Sequence, residues 1–456
     1  MMLQALLPII AFIVAILMLV TVHEYGHCWV AKRLGIKVLR FSIGFGKPIC
    51  RWHGKDGTEY WLAMLPLGGY VKLLDEREGP VASEELHFAY NRKPVWARML
   101  VVLAGPVTNF LLAILLFWLV FVVGFETVKP IVGNVALGSP AAAAGMKPGE
   151  QIVAIDHRAT PSWQKVMLAL TWRLGSQAEM TVVTKTDAPT AAEKTYVLDL
   201  KNWQVDGLNP DPIKGLGITP YHPPVPPVIA RVLNHQPAAE AGIMPNDRVV
   251  AVAGVPVSDW YDVVTYIQAH PNTTVPVKIQ RGEQTKTVML TIGQKVVGAG
   301  HAVGFIGAEA KAVEWPAALK QHQQYNVITA WLPAVNETLT YSAFNFVIFG
   351  KMVLGQVSLK GLGGPISIFT SAGNAFKEGL VVYCSFLAVL SIMLACINIL
   401  PIPGLDGGHL LYLVIEAIKK RPVSVEAQLM AWRIGLFFLL LLMLIATMND
   451  LLRAFQ

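Results

Sequence analysis

The sequence predicts a polytopic α-helical membrane protein whose spans flank a long segment built from two copies of one small β-rich module. Three observations carry this. The 456-residue chain is 54% hydrophobic and only 15% charged, too apolar for an ordinary soluble protein of its size. Four stretches, about 5–30, 99–123, 380–400 and 430–448, meet the requirement of roughly 20 mostly apolar residues for a spanning helix. Finally, residues 131–163 match residues 228–260 without a gap.

The first span begins with QALLPIIAFIVAILML, which carries no charge, and runs into VTVHEYGHCWVAKR. It lacks a basic leading region, and removal would discard the HEYGH pentad, so it reads as a retained helix rather than a cleaved signal. Lys and Arg set the orientation. None occurs in residues 1–31, whereas Lys32, Arg33, Lys37, Arg40, Arg92, Lys93 and Arg98 fall in the connection to the second span. Lys419, Lys420, Arg421 and Arg433 fall between the last two spans. The positive-inside tendency places both connections in the cytoplasm, and the N-terminus and segment 124–379 outside.

Within residues 129–310 there are 15 Lys/Arg against 14 Asp/Glu. The formal charge of +7 is therefore mostly a topology signal. A nucleic-acid role would want a basic patch studded with aromatics, and none is visible. Cys28, Cys50, Cys384 and Cys396 form no CxxC pair and none lies in the exported segment, which argues against a disulfide framework or a Cys-ligated zinc.

In the repeat, Pro140/Pro237, Ala144/Ala241, Gly145/Gly242, Pro148/Pro245 and Trp163/Trp260 coincide at an offset of 97 residues. Each copy reads as strand, SPAAxAG-type helical turn, loop, and a second apolar strand (QIVAI, RVVAV). YHPPVPPV at 221–228 reads as a stiff join. Residues 311–378 mix helical periodicity with Trp and Tyr and read as an amphipathic interfacial segment, and GLGGPISIFTSAG at 361–373 reads as a turn or break.

The chemistry concentrates in two places. On a helix, residues four apart share a face, so His23 and His27 can bind one metal while Glu24 serves as general base. The competing reading is a polar-lined helix end. Against it stands the cost of ionisable groups within a span, and the presence of a candidate third ligand, Asp406, in NILPIPGLDGGH (398–409). Pro401, Pro403, Gly404, Gly407 and Gly408 break the helix there, and broken backbone at membrane depth needs a protein or water-filled surround. The remaining histidines, His53, His87, His157, His222, His235, His270, His301 and His322, read as surface or packing residues. His409 reads as a neighbour of the site. Trp96, Trp118, Trp331 and Trp432 read as interface anchors.

HEYGH in a first span, GPVTNF (Gly105–Phe110) in a second and NILPIPGLDGG together resemble the site-2 proteases, the intramembrane zinc metalloproteases. The repeated modules resemble the circularly permuted PDZ domains of bacterial proteases, with peptide-binding loops GLGI (Gly215–Ile218) and VGFIG (Val303–Gly307). The resemblance implies Zn2+ held by His23, His27 and Asp406, with Glu24 activating water. Asn398, Pro401 and Pro403 would contact the substrate, and Gly105, Pro106 and Asn109 would shape the site. Residues 44–74 would form a membrane-reentrant β-hairpin region.

The expected organisation is then 1–126 (spans one and two with the hairpin), 127–220 and 221–310 (two tandem exported PDZ domains), 311–378 (interfacial) and 379–456 (spans three and four). The implied partners are the lipid bilayer, single-span membrane proteins such as an anti-sigma factor, signal-peptide remnants, and a peptide or free C-terminus at the PDZ domains. The implied setting is a bacterial inner membrane, with the PDZ domains periplasmic and the active site towards the cytoplasm. A non-catalytic PDZ scaffold with a structural metal is the main rival. A membrane HExxH protease of the class that uses a downstream Glu as ligand is a second.

Overall fold

The computed structural model describes residues 2–186, 192–201, 203, 211–297, 301–311 and 313–454. By internal contacts the chain forms two units, residues 1–126 with 322–447 and residues 127–321 with 448–456.

The first unit is helical. Its helices are α1 (Met2–Arg33), α2 (Val95–Val123), α3 (Trp331–Val353), α4 (Pro365–Glu378), α5 (Leu380–Ile399), α6 (Asp406–Lys419) and α7 (Val425–Ala454). Among the described residues four helices are long and apolar enough to cross a membrane: Leu6–Arg33, Val95–Val123, Leu380–Ile399 and Val425–Arg453. Each covers one of the four stretches expected from hydropathy.

Without water to drive association, helices in lipid pack through small residues and interhelical hydrogen bonds. Gly26 is such a point, since a β-carbon there would lie 2.5 Å from the Ala104 carbonyl oxygen of α2. Beside it Thr108 Oγ1 donates to Val22 O at 3.0 Å. Tyr383 on α5 donates to Ala11 O of α1 at 2.5 Å. The core between these helices contains Leu19, Leu116, Phe117, Leu387 and Ile392.

Between α1 and α2 lie two long strands, β1 (Val38–His53) and β2 (Glu59–Leu73). Pro66, Gly68 and Gly69 lie inside β2 without ending it. The register gives β1 partners on both sides. Phe41 faces Val71 and Tyr60, and Ser42 faces Tyr70 and Trp61. Residues 69–73 form an outer edge, with strand partners on one side only among the described residues.

The stretch 361–373 is corrected by the structure. Residues 361–364 turn, but α4 starts at Pro365 and runs on to Glu378. Proline is well suited to the first helical position, where its missing N–H costs nothing. Gly373 is a packing glycine, since a β-carbon there would lie 2.6 Å from Pro8 of α1.

The second unit holds the two modules, each with a four-stranded antiparallel sheet. In the first the order is Arg158–Ala159, Gln151–Ile155, Met180–Lys185, Lys194–Leu198. In the second it is Val255–Pro256, Arg248–Val252, Thr274–Arg281, Gln284–Thr291. The equivalent prolines, Pro140 and Pro237, each open a single helical turn. Both last strands return to the start of their module: Ile218–Pro220 pairs with Val132–Val135, and Ala308–Ala310 with Ile229–Val232. Gly217 and Gly307 sit just before these strands with positive φ. His301 carries a strand start, but its side chain lies outside the described ones.

Candidate metal centre

HEYGH occupies the last turns of α1, which keeps its helical geometry through to Arg33. His23 is buried and lies one turn before His27. Their Nε2 atoms approach to 3.3 Å. Asp406, the first residue of α6, brings Oδ2 to 3.1 Å from His23 Nε2 and 3.4 Å from His27 Nε2. These three side chains form the potential metal-holding group among the described residues.

Two helix breaks deliver Asp406 to this point. α5 ends at Ile399 and residues 400–405 run without helix. Gly407 and Gly408 then let α6 begin hard against that segment. A β-carbon on Gly407 would lie 2.1 Å from Leu400 O, and one on Gly408 2.5 Å from Ile402 O.

The donors fit a zinc ion. His27 Nδ1 donates to Val101 O at 2.7 Å, so its Nε2 presents a lone pair to the centre. Asp406 Oδ2 is buried and accepts no hydrogen bond. Electron-rich atoms thus face one another, an arrangement that a cation relieves. A tetrahedral zinc with bonds of about 2.0–2.1 Å separates its ligands by about 3.3 Å, close to the three distances found.

His23 has an outer partner as well. The Asn109 side-chain amide lies 3.3 Å from His23 Nδ1, and Asn109 Oδ1 is otherwise buried without a partner. Here the amide nitrogen faces Nδ1; a metal on Nε2 would leave Nδ1 carrying the hydrogen and would call for the amide turned to present its oxygen. Ser391 of α5 donates to the Asn109 carbonyl at 2.8 Å, tying α2 to α5 at this level.

Glu24 shares a cavity of about 690 Å3 with His23, His27, Asp406 and the β2 edge residues Gly69, Tyr70 and Val71. His409 also lines this cavity and meets Tyr412 edge-on. Asn398, Pro401 and Pro403 are not among its lining residues. Asn398 is buried in the last turn of α5, Pro401 is exposed, and Pro403 is half-buried. The Pro403 carbonyl faces α7 at Gly435, where a β-carbon would lie 1.9 Å away.

Sequence reasoning missed the Val101 carbonyl, because a backbone acceptor leaves no trace in residue type. It also missed the paired Arg98 and Glu416, although an arginine at the start of a spanning helix was a signal that could have been followed.

The profile of "Peptidase family M50" matches residues 11–442. The regulator of sigma-E protease RseP of Escherichia coli is 42% identical over 98% of this chain and 99% of its own length. A Vibrio cholerae protein whose name is that of a zinc metalloprotease is 38% identical over 97% of this chain and 98% of its own length. A solved PDZ domain of the SdrC-like protein from Listeria monocytogenes aligns at 16% identity and a TM-score of 0.17, covering 20% of this chain and 90% of that one. A match across nearly the whole chain makes the chain a member of peptidase family M50, the site-2 zinc metalloproteases.

Proposed function

We propose that His23, His27 and Asp406 hold the zinc and that Glu24 carries the proton in peptide-bond hydrolysis within or beside a substrate's membrane span. The observation that supports this most directly is the shared cavity, where Glu24, the three ligand atoms and an open strand edge meet. Zinc, when bound, supplies Lewis acidity and renders water nucleophilic near neutral pH.

The chain's own residues do the rest. Glu24 accepts the proton of the attacking water and returns it to the leaving amide nitrogen. The β2 edge at Gly69–Leu73 offers unpaired backbone groups to a substrate that must leave its helical state before cleavage. Unwinding in lipid strands each backbone group at a cost of several kcal/mol, and strand pairing offsets that cost. Asn398 at the end of α5, with Pro401 and Pro403 in the α5–α6 connection, would act on the substrate, and Gly105, Pro106 and Asn109 would shape the site from α2.

RseP is named as a regulator of sigma-E protease. By that likeness the substrates here are single-span proteins of a bacterial inner membrane, an anti-sigma factor foremost, with signal-peptide remnants as a second group. The two repeated modules serve as tandem permuted PDZ domains on the periplasmic side, with Gly215–Ile218 and Val303–Gly307 as their loops. The active site lies towards the cytoplasm. From the periplasmic side the modules hold back substrates with bulky exported domains. Deleting residues 129–310 should admit untrimmed substrate; unchanged selectivity would remove this role.

The test of the central proposal is cleavage of a trimmed single-span substrate by the purified protein, by Glu24→Gln, and after chelation. The expected result is zinc retained in Glu24→Gln, with cleavage reduced about 10²–10⁴-fold and abolished by chelator. Equal cleavage by Glu24→Gln would return a non-catalytic scaffold to first place.

A further inference from the structure

We infer that the ion pair between Arg98 and Glu416 positions Asp406 for the metal, which makes α2 the common frame for all three ligands. The inference rests on the metal reading above. Arg98 donates through Nη2 to Glu416 Oε1 at 2.6 Å and through Nη1 to Oε2 at 3.1 Å. Its Nε donates to Lys93 O at 3.0 Å. Every donor-bearing arm of the guanidinium is therefore committed. The two side chains are 9% and 17% exposed, so the pair is largely withdrawn from solvent and lies 318 residues apart in sequence.

Glu416 is on the helix whose first residue is Asp406. At about 1.5 Å per residue, the pair holds α6 about 15 Å from the ligand. The near end is already fixed by the contacts of Gly407 and Gly408 with the preceding segment. A helix held at both ends cannot pivot, and Asp406 is carried by its first turn.

The same stretch of α2 holds the other two ligands. Val101 accepts from His27, and the Asn109 amide meets His23. Arg98, Val101 and Asn109 thus address Asp406, His27 and His23 in turn, the first through α6 and the others directly. Outer contacts of this kind orient ligands and commonly govern metal affinity.

The test uses the full-length protein in detergent, with zinc affinity read by competition with a chelating dye. Arg98→Ala and Glu416→Ala should each weaken zinc about 10–100-fold. The exchange Arg98→Glu with Glu416→Arg should recover much of that loss. For a trimmed substrate kcat should fall with KM little changed, because no substrate contact is removed. Asp247→Ala, which breaks a buried ion pair in the other unit, should leave zinc affinity as in the wild type. If the alanine variants fail to accumulate, Arg98→Lys and Glu416→Gln keep the volume while losing the forked geometry, and an intermediate affinity is expected. Wild-type zinc affinity in these variants would overturn the inference alone. Failure of the wild-type protein to bind zinc would overturn the metal reading beneath it.

Discussion

A β-carbon on Gly105 would lie 2.3 Å from His27 Nε2 and 2.7 Å from His23 Cε1. Gly105 and His27 therefore meet across a gap that only glycine leaves open, at the nitrogen proposed to bind the metal. Gly105→Ala should push the imidazole aside while α2 stays helical, since alanine is the better helix former. The expected outcome is zinc affinity lowered about 10–100-fold with unchanged helix content by circular dichroism. Full zinc affinity in Gly105→Ala would mean that the histidines do not share a metal in this geometry.

Gly69 supplies a contrasting case. A β-carbon there would lie 2.9 Å from Glu24 Cγ and 2.7 Å from Ser42 O. It would press on the proposed base and leave the three ligands untouched. Gly69→Ala should keep zinc and lose cleavage about 10–100-fold, as expected when a reacting group is misplaced by about 1 Å. Parallel loss of zinc would show that β2 supports the ligands rather than the base.

Acid should loosen the second module at one identifiable place. Burial alone would raise the Asp247 carboxyl, but the Arg281 guanidinium and the Met244 N–H outweigh it and hold the group below the usual carboxylate range. A carboxylate with a depressed folded value stabilises the fold fully above its unfolded pKa of about 3.9. That contribution is lost as pH falls through the folded value. Hydrogen exchange of the full-length protein should show protection at residues 244–252 declining below about pH 4. Arg281→Met should remove most of that pH dependence while lowering protection at neutral pH. An unaltered acid profile in Arg281→Met would refute the assignment.

The four spans were legible because a bilayer demands long apolar runs whatever the tertiary fold. The juxtaposition of His23 and His27 was legible because helical spacing alone puts both on one face. Asp406 needed a second element, and the broken helix around Pro401–Gly408 gave it away. The α4 helix was not legible: three glycines precede it and a proline opens it, and only packing of Gly373 on Pro8 shows that the later glycine serves contact rather than flexibility. Nor was the doubled register of β1, since period-2 patterning cannot say how many neighbours a strand has. Arg98 and Glu416 stand too far apart in sequence for any local pattern to join them.

One matched pair of buried carboxylates, Glu150 and Asp247, has different partners in the two duplicated modules. Glu150 is answered by Thr184 at 3.2 Å, by Tyr196 at 2.8 Å and, more distantly, by the Lys194 ammonium at 3.5 Å. Asp247, its counterpart, is answered by Arg281 at 2.7 Å; by strand register, with Gln151 facing Lys185 and Arg248 facing Gln280, the first module carries Thr186 in place of Arg281. During folding both copies offer strands of similar length and apolar pattern, so exchange between neighbours is a hazard common to tandem repeats. If the second module borrowed Met180–Lys185 in place of its own strand, the borrowed strand would bring no arginine to Asp247. A buried carboxylate stripped of its partner costs about 3–5 kcal/mol. That penalty would disfavour this exchange and help keep the second module's own strand in place.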